Sequence, residues 1–152
     1  MAYKSIEDVK RQMERYCAYQ ERSHFQVEKK LRELKIIPEA VDAIVVHLIQ
    51  NNFLNEERFA RTYARGKFYQ NKWGKLKIVH GLRQHHIHQN LINIALTEIA
   101  QDDYYQTIKQ LIEKKCQQIS GAKSKKKPKI IQYLHQRGYA YEDYFDILKK
   151  KC

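Results

Sequence analysis

The sequence predicts an all-α protein of three tandem three-helix repeats, each of about 50 residues, forming an elongated, curved array. Three observations predict it. The 152 residues include only 5 Gly and 2 Pro, too few for a fold made of many tight turns. Apolar residues recur at steps of three and four, and no run alternates with a period of two. Residues able to cap helices stand just ahead of several of these apolar faces.

The elements follow in order. Ile6, Val9, Met13 and Tyr16 make one face of a first helix, which Ser5 can cap while Asp8 returns the bond. Ser23 and Gln26 repeat that capping pattern ahead of Val27, Leu31 and Leu34. Pro38 suits the first turn of a third helix carrying Val41, Ile44, Val45 and Leu48, because its missing N–H is not needed there. Asn55 can cap the fourth, with Glu56 and Glu57 set against the positive end of the helix dipole. In that helix Phe59 and Tyr63 turn inward, while Arg58, Arg61 and Arg65 ride the other side. Trp73 and Gly74 separate it from the next helix. Asn90 is expected to cap a later one. Residues 123–129 read as a flexible lysine-rich link between helices, with Pro128 in the first turn of the helix that follows. That helix should end at Gly138 in a left-handed cap, with Tyr139 folding back.

A comparison of the chain with itself gives the repeat. Leu31, Leu82 and Leu134 lie 51 and then 52 residues apart. Four positions before them stand Val27, Ile78 and Ile130; five after, Ile36, Ile87 and Tyr139. Val41, Ile92 and Tyr144, then Ile44, Ala95 and Ile147, then Val45, Leu96 and Leu148 complete six apolar columns. One such column arises easily in any helical protein, but six in fixed register point to units at 1–53, 54–102 and 103–152. The alternative is a pair of unrelated helical bundles whose patterns align by chance.

Charge is the first functional clue. With 29 Lys and Arg against 17 Asp and Glu, the formal net charge is +12. A field of that sign favours a polyanion partner, nucleic acid above all. Residues 1–50 are nearly neutral, whereas 58–97 and 114–141 each hold eight basic residues and no acid. In the middle zone Arg61, Arg65, Lys72, Lys75, Lys77 and Arg83 are candidate contacts for phosphate or an acidic groove. In the last zone Lys123, Lys125, Lys126, Lys127 and Lys129 either grip a phosphate backbone or keep a linker soluble. Of eleven tyrosines most fall on apolar faces, which leaves Tyr69 and Trp73 as candidate base stackers.

Other classes find little support. No apolar run is long enough to span a membrane, and an early Lys4, Glu7 and Asp8 argue against a signal peptide. Cys17, Cys116 and Cys152 form an odd set, the simple reading of which is reduced thiols in a cytoplasmic protein, Cys152 being a bystander. His80, His85, His86 and His88 lack the spacing and the nearby carboxylate of a metal site, so no metal or other cofactor is expected. No nucleophile elbow or glycine-rich phosphate loop is present, so no enzymatic activity is expected either.

Three stretches then carry a resemblance: FLNEERFA at 53–60, Trp73 and Gly74 with Lys75 and Ile78, and YLHQRGY at 133–139. A weaker echo is Glu21, Arg22 and Ser23 leading into Val27 and Leu31. Together they resemble the RecX family of bacterial recombination regulators, over essentially the whole chain. Gln20 stands where that family usually has arginine, and His85, His86 and Ile87 replace its commoner Lys-Gly-Ile, leaving the turn there uncertain. The resemblance implies three tandem three-helix repeats. It also implies a non-enzymatic modulator that binds the RecA–DNA filament, most often restraining it, in DNA repair, recombination and the SOS response. Single- and double-stranded DNA would be further partners, and a monomer is expected. On this reading Arg61, Arg65, Lys72, Lys75 and Lys77 face the filament, while Phe59, Trp73, Gly74 and Gly138 determine the fold. The alternatives are a general, sequence-nonspecific nucleic-acid-binding protein without a recombinase partner, which needs only the charge, and a metal-dependent nuclease using the histidines.

Overall fold

The computed structural model describes residues 5–151. Lys4 and Cys152, both used in the expectations above, lie outside them. The described residues form nine helices and no strand: α1 (Ile6–Tyr19), α2 (His24–Glu33), α3 (Pro38–Gln50), α4 (Glu56–Tyr69), α5 (Lys75–Gln84), α6 (Gln89–Leu96), α7 (Gln101–Gln118), α8 (Lys123–Gln136) and α9 (Tyr141–Lys151). They pack mainly within consecutive groups of three. The accessible surface is 9766 Å², against about 8,100 Å² for a compact monomer of this mass. An extended array exposes more of itself than a sphere does.

The six sequence columns are the core. Fifteen of their eighteen residues are buried, and Ile36, Val45 and Leu96 are half-buried. The second helix of each unit closes in the same way. Lys35, His86 and Gly138 adopt positive φ of 60°, 59° and 93°. The following amide then turns back on the column leucine: Ile36 to Leu31 at 3.1 Å, Ile87 to Leu82 at 3.1 Å and Tyr139 to Leu134 at 3.0 Å. These are Schellman closures. Lys35 and His86 hold the left-handed position at roughly 1–2 kcal/mol each, a penalty that glycine escapes. The turn at His85, His86 and Ile87 therefore takes the same shape as the Gly138 turn without a glycine.

Ser5 and Ser23 form full capping boxes, Asn55 accepts from the Arg58 amide at 2.9 Å, and Pro38 opens α3. Two local expectations are corrected. His88, not Asn90, caps α6: the Asn90 amide donates to His88 Nδ1 at 3.2 Å, so Asn90 lies already inside the helix. The run at 123–129 is not a loop but the first turns of α8, and Pro128 is its sixth residue. Lysine is a good helix former, and proline has a helical φ, its cost inside the helix being one lost bond and a crowded preceding turn. Lys126 Nζ also donates to the Cys116 carbonyl at 2.9 Å, tying the start of α8 to the last turn of α7.

The buried residues fall into two clusters. One, of nine residues from Val9 to Leu54, belongs to α1–α3 and the turn after them. The other, of twenty residues from Phe59 to Leu148, runs without a break through the second and third units. Cys17 is a free thiol in the first cluster, and burial pushes its pKa up to about 11. Cys116 is disulfide-bonded, which corrects the expectation of three reduced cysteines.

Candidate functional site

The two joints between units are built differently, and the reason is a single residue. At the start of α2, Ser23 caps its own helix. The equivalent position before α5 is Gly74, which has no side chain to do so. The free amides of α5 are instead satisfied by the third unit: Gly74 donates to the Arg137 carbonyl at 2.7 Å, Leu76 to the Gly138 carbonyl at 3.0 Å, and Lys75 to the Tyr104 hydroxyl at 2.9 Å. Tyr139 closes the joint with a bond from its hydroxyl to the Lys72 carbonyl at 2.7 Å. A Cβ on Gly74 would overlap the Gly138 carbonyl, and one on Gly138 would overlap Lys77. The last turn of α8 thus caps the first turn of α5, and the dipoles meet in the favourable sense.

Beside this joint opens a cleft of about 380 Å³ lined by Lys72, Leu111, Lys114, Lys115, Gln118, Tyr133 and Arg137. Lys72 is placed by its own left-handed turn (φ 59°) after α4, and Lys114 and Lys115 by the last turns of α7. Lys115 Nζ stands 4.3 Å and the Arg137 guanidinium 5.5 Å from the Tyr133 ring centroid. Arg137 donates from Nη2 to the Asn71 carbonyl, and its Nε is buried with no acceptor. Among the described residues none of these four cations is paired with a carboxylate. The cleft is a pocket of uncompensated positive charge.

Of the residues singled out from sequence, Lys72 lies in this cleft and Lys75 and Lys77 flank the joint. Lys75 Nζ sits 4.6 Å from the Tyr104 ring centroid, and Lys77 and Lys67 sit 4.4 and 4.7 Å from that of Trp73. Trp73 is therefore half-buried beneath two ammonium groups, and the Tyr69 hydroxyl is bound to Asp103 at 2.7 Å. The Trp73 ring is thus covered by cations, whereas Tyr69 keeps its ring exposed with only the hydroxyl engaged. Arg61 and Arg65 converge on Glu98 at 3.3 and 3.0 Å, and Arg61 also meets Glu57 at 3.2 Å. Arg83 bonds to Gln89 at 3.0 Å. Lys123, Lys125, Lys127 and Lys129 are exposed on the opening turns of α8, with Lys126 half-buried among them. Sequence reading missed Lys67, Lys114, Lys115 and Arg137. The acid-free stretch at 114–141 was the signal for three of them, although nothing local ties them to Lys72.

The joint between the first and second units is made of side chains. Ser23 Oγ and His85 Nδ1 lie 2.9 Å apart, Arg58 Nε donates to Glu21 at 2.7 Å, and His24 approaches Glu56 at 3.4 Å. His85 packs against Phe59 and Tyr63, and the His86 ring lies 4.5 Å from that of Phe25. Burial, then the nearby Lys67 and His86, lower the His85 pKa, while burial raises that of Glu56. A groove of about 430 Å³ runs along α4 at this joint, between Gln20 and Asn71. No group of three or more His, Cys, Asp or Glu among the described residues is arranged to hold a metal ion, and no described helix is long and apolar enough to cross a membrane.

Comparison with known proteins places these features. Residues 55–96 match the second three-helix domain of RecX, and residues 102–148 match its third, together more than half of the chain. The regulatory protein RecX of Clostridium acetobutylicum is 26% identical over 130 residues, covering 82% of this chain and 60% of that protein. Its counterpart in Lactobacillus johnsonii is 27% identical over 128 residues, covering 84% of this chain and 47% of that one. The chain thus spans about half the length of these relatives. The crystal structure of RecX from Lactobacillus salivarius superposes with a TM-score of 0.86 at 26% identity, covering 95% of both chains.

Proposed function

Because the chain belongs to the RecX family of regulatory proteins, we propose that it binds the RecA–DNA filament and restrains recombinase activity without catalysing a reaction of its own. One observation carries the reading: an extended array whose unpaired cations gather along its second and third units. Coulomb attraction would steer such a surface to a filament wrapped on DNA, and the length of the array would set the fit along its groove. In this reading the chain divides at 1–53, 54–102 and 103–152, acts as a monomer in the cytoplasm, and needs no cofactor. Lys72, Lys75 and Lys77 face the filament together with Arg61, Arg65 and Arg83, and the lysines at the start of α8 extend that face.

The test is RecA ATP hydrolysis on single-stranded DNA, titrated with this protein far below the concentration of DNA-binding sites. Inhibition at such levels cannot come from masking DNA and would identify the filament as the target. Loss of activity only at DNA saturation would leave a sequence-nonspecific nucleic-acid-binding protein, with log affinity falling linearly in log salt.

A further inference from the structure

We propose that the cleft at the joint of the second and third units is a discrete phosphate-binding site, formed by Lys72, Lys114, Lys115 and Arg137. Four observations converge on it. The cleft of about 380 Å³ is large enough for a phosphate or a pyrophosphate group. Its lining contains four cations and no acid. Those cations make no ion pair among the described residues, whereas Arg61 and Arg65 on the neighbouring helix share Glu98. Finally, Arg137 is held in place by the Asn71 carbonyl and carries a buried Nε–H without an acceptor.

A buried donor on a charged group is costly when nothing compensates it. The commonest compensation, a carboxylate, is missing here. An anion in the cleft would supply it, and guanidinium with ammonium groups is the donor set that recognises phosphate oxygens. Tyr133 is covered by Lys115 and Arg137, so the site offers charge and hydrogen bonds but no open ring face for a base. It would read a phosphate and ignore sequence. The cleft also draws on three segments: the turn after α4, the end of α7 and the end of α8. An occupant would therefore brace the same joint at which Gly74 borrows its capping carbonyls.

The phosphate could belong to a nucleic-acid strand or to a free polyphosphate. Phosphate recognition stands on the cleft alone; placing a DNA strand in it rests on the filament reading. The full chain, labelled with nitrogen-15, is titrated with sodium pyrophosphate and separately with a twelve-residue oligothymidylate. Both are repeated on K72Q/K114Q and on K29Q, a surface-lysine control at exposed Lys29 on α2. The expected result is a saturable shift of the Arg137 Nε–Hε signal and of the Lys114, Lys115 and Gln118 amides. The double variant should weaken this by about tenfold or more, and K29Q should leave it unchanged. Saturation by pyrophosphate and not by the oligonucleotide would identify a free polyphosphate as the ligand; saturation by both in mutual competition would identify the strand. Equal, unsaturable shifts in all three proteins would be general screening and would overturn the proposal. If K72Q/K114Q loses the site yet still restrains RecA, the site stands and its place in the filament reading falls.

Discussion

Gly74 and Gly138, 64 positions apart in the sequence, lie against one another backbone to backbone, and neither has room for a methyl group. Around that contact the amide of Gly74 reaches the carbonyl of Arg137 and the amide of Leu76 reaches that of Gly138. Motif residues at the heart of the family resemblance are thus the two halves of one joint.

Replacing either glycine should break it. G74A would force the two backbones apart, and G138A would add the strain of a left-handed alanine (φ 93°) to a clash with Lys77. Each is expected to cost about 2 kcal/mol or more. G66A, within α4 and with open space around it, should instead gain about 0.5–1 kcal/mol from helix propensity. Urea unfolding of the three variants checks the contrast.

The first unit should open before the rest. Its nine buried residues form a core of their own, against twenty shared by the other two units, and side chains rather than backbone bonds join it to them. In native-state hydrogen exchange the amides of Met13, Leu31 and Leu48 should exchange at a free energy about 1–3 kcal/mol below those of Leu82, Ile112 and Leu134. Equal protection throughout would mean a single cooperative block.

The same joint should respond to mild acid. The pKa of His85 is lowered in the fold, so between that value and the ordinary one near 6.5 the unfolded chain holds more protons. The stabilisation is complete above about 6.5 and is lost as pH falls through the lowered pKa. Glu56 works in the opposite sense: its raised pKa destabilises the fold only above the ordinary 4.5, and protonation relieves it. The urea midpoint of the wild type should therefore fall relative to that of H85N, which keeps a polar atom for Ser23, between pH 7.5 and 5.5, the Glu56 contribution being common to both.

Charge neutralisation should separate free cations from paired ones. K72Q/K75Q/K77Q is expected to lower the slope of log affinity against log salt for single-stranded DNA by about 2, since each neutralised phosphate contributes about 0.7. R61Q/R65Q should lower it by less than about 1, because Glu98 and Glu57 already hold those guanidiniums. Fluorescence anisotropy across a salt series measures both, and a larger effect from the arginine pair would reverse the assignment of faces.

Local chemistry made most of the helices legible in the sequence. Ser5, Ser23, Pro38 and Asn55 act within one turn of themselves, so their caps could be read directly, and the six columns name the core because burial repeats with the unit. His88 escaped because an imidazole can cap as well as an amide, and residues 123–129 because a charge run says little about backbone shape. The cleft was hidden for another reason. Lys72 and Lys114 come together only when the second and third units dock, and a glycine that borrows its cap looks locally like a plain helix breaker.

The end-to-end relation of α8, α5 and α2 gives the molecule a sense of travel. Carbonyls at the end of α8 meet amides at the start of α5, and His85 at the end of α5 meets Ser23 at the start of α2. Turning a unit round would set donor against donor, so each join has one permitted orientation. The two extremities are consequently unlike: carbonyls near Leu34 at one, a lysine-studded helix start at the other. A ruler of this kind has a zero mark. Laid along any track that itself has a polarity, it would read in one direction and mismatch in the other.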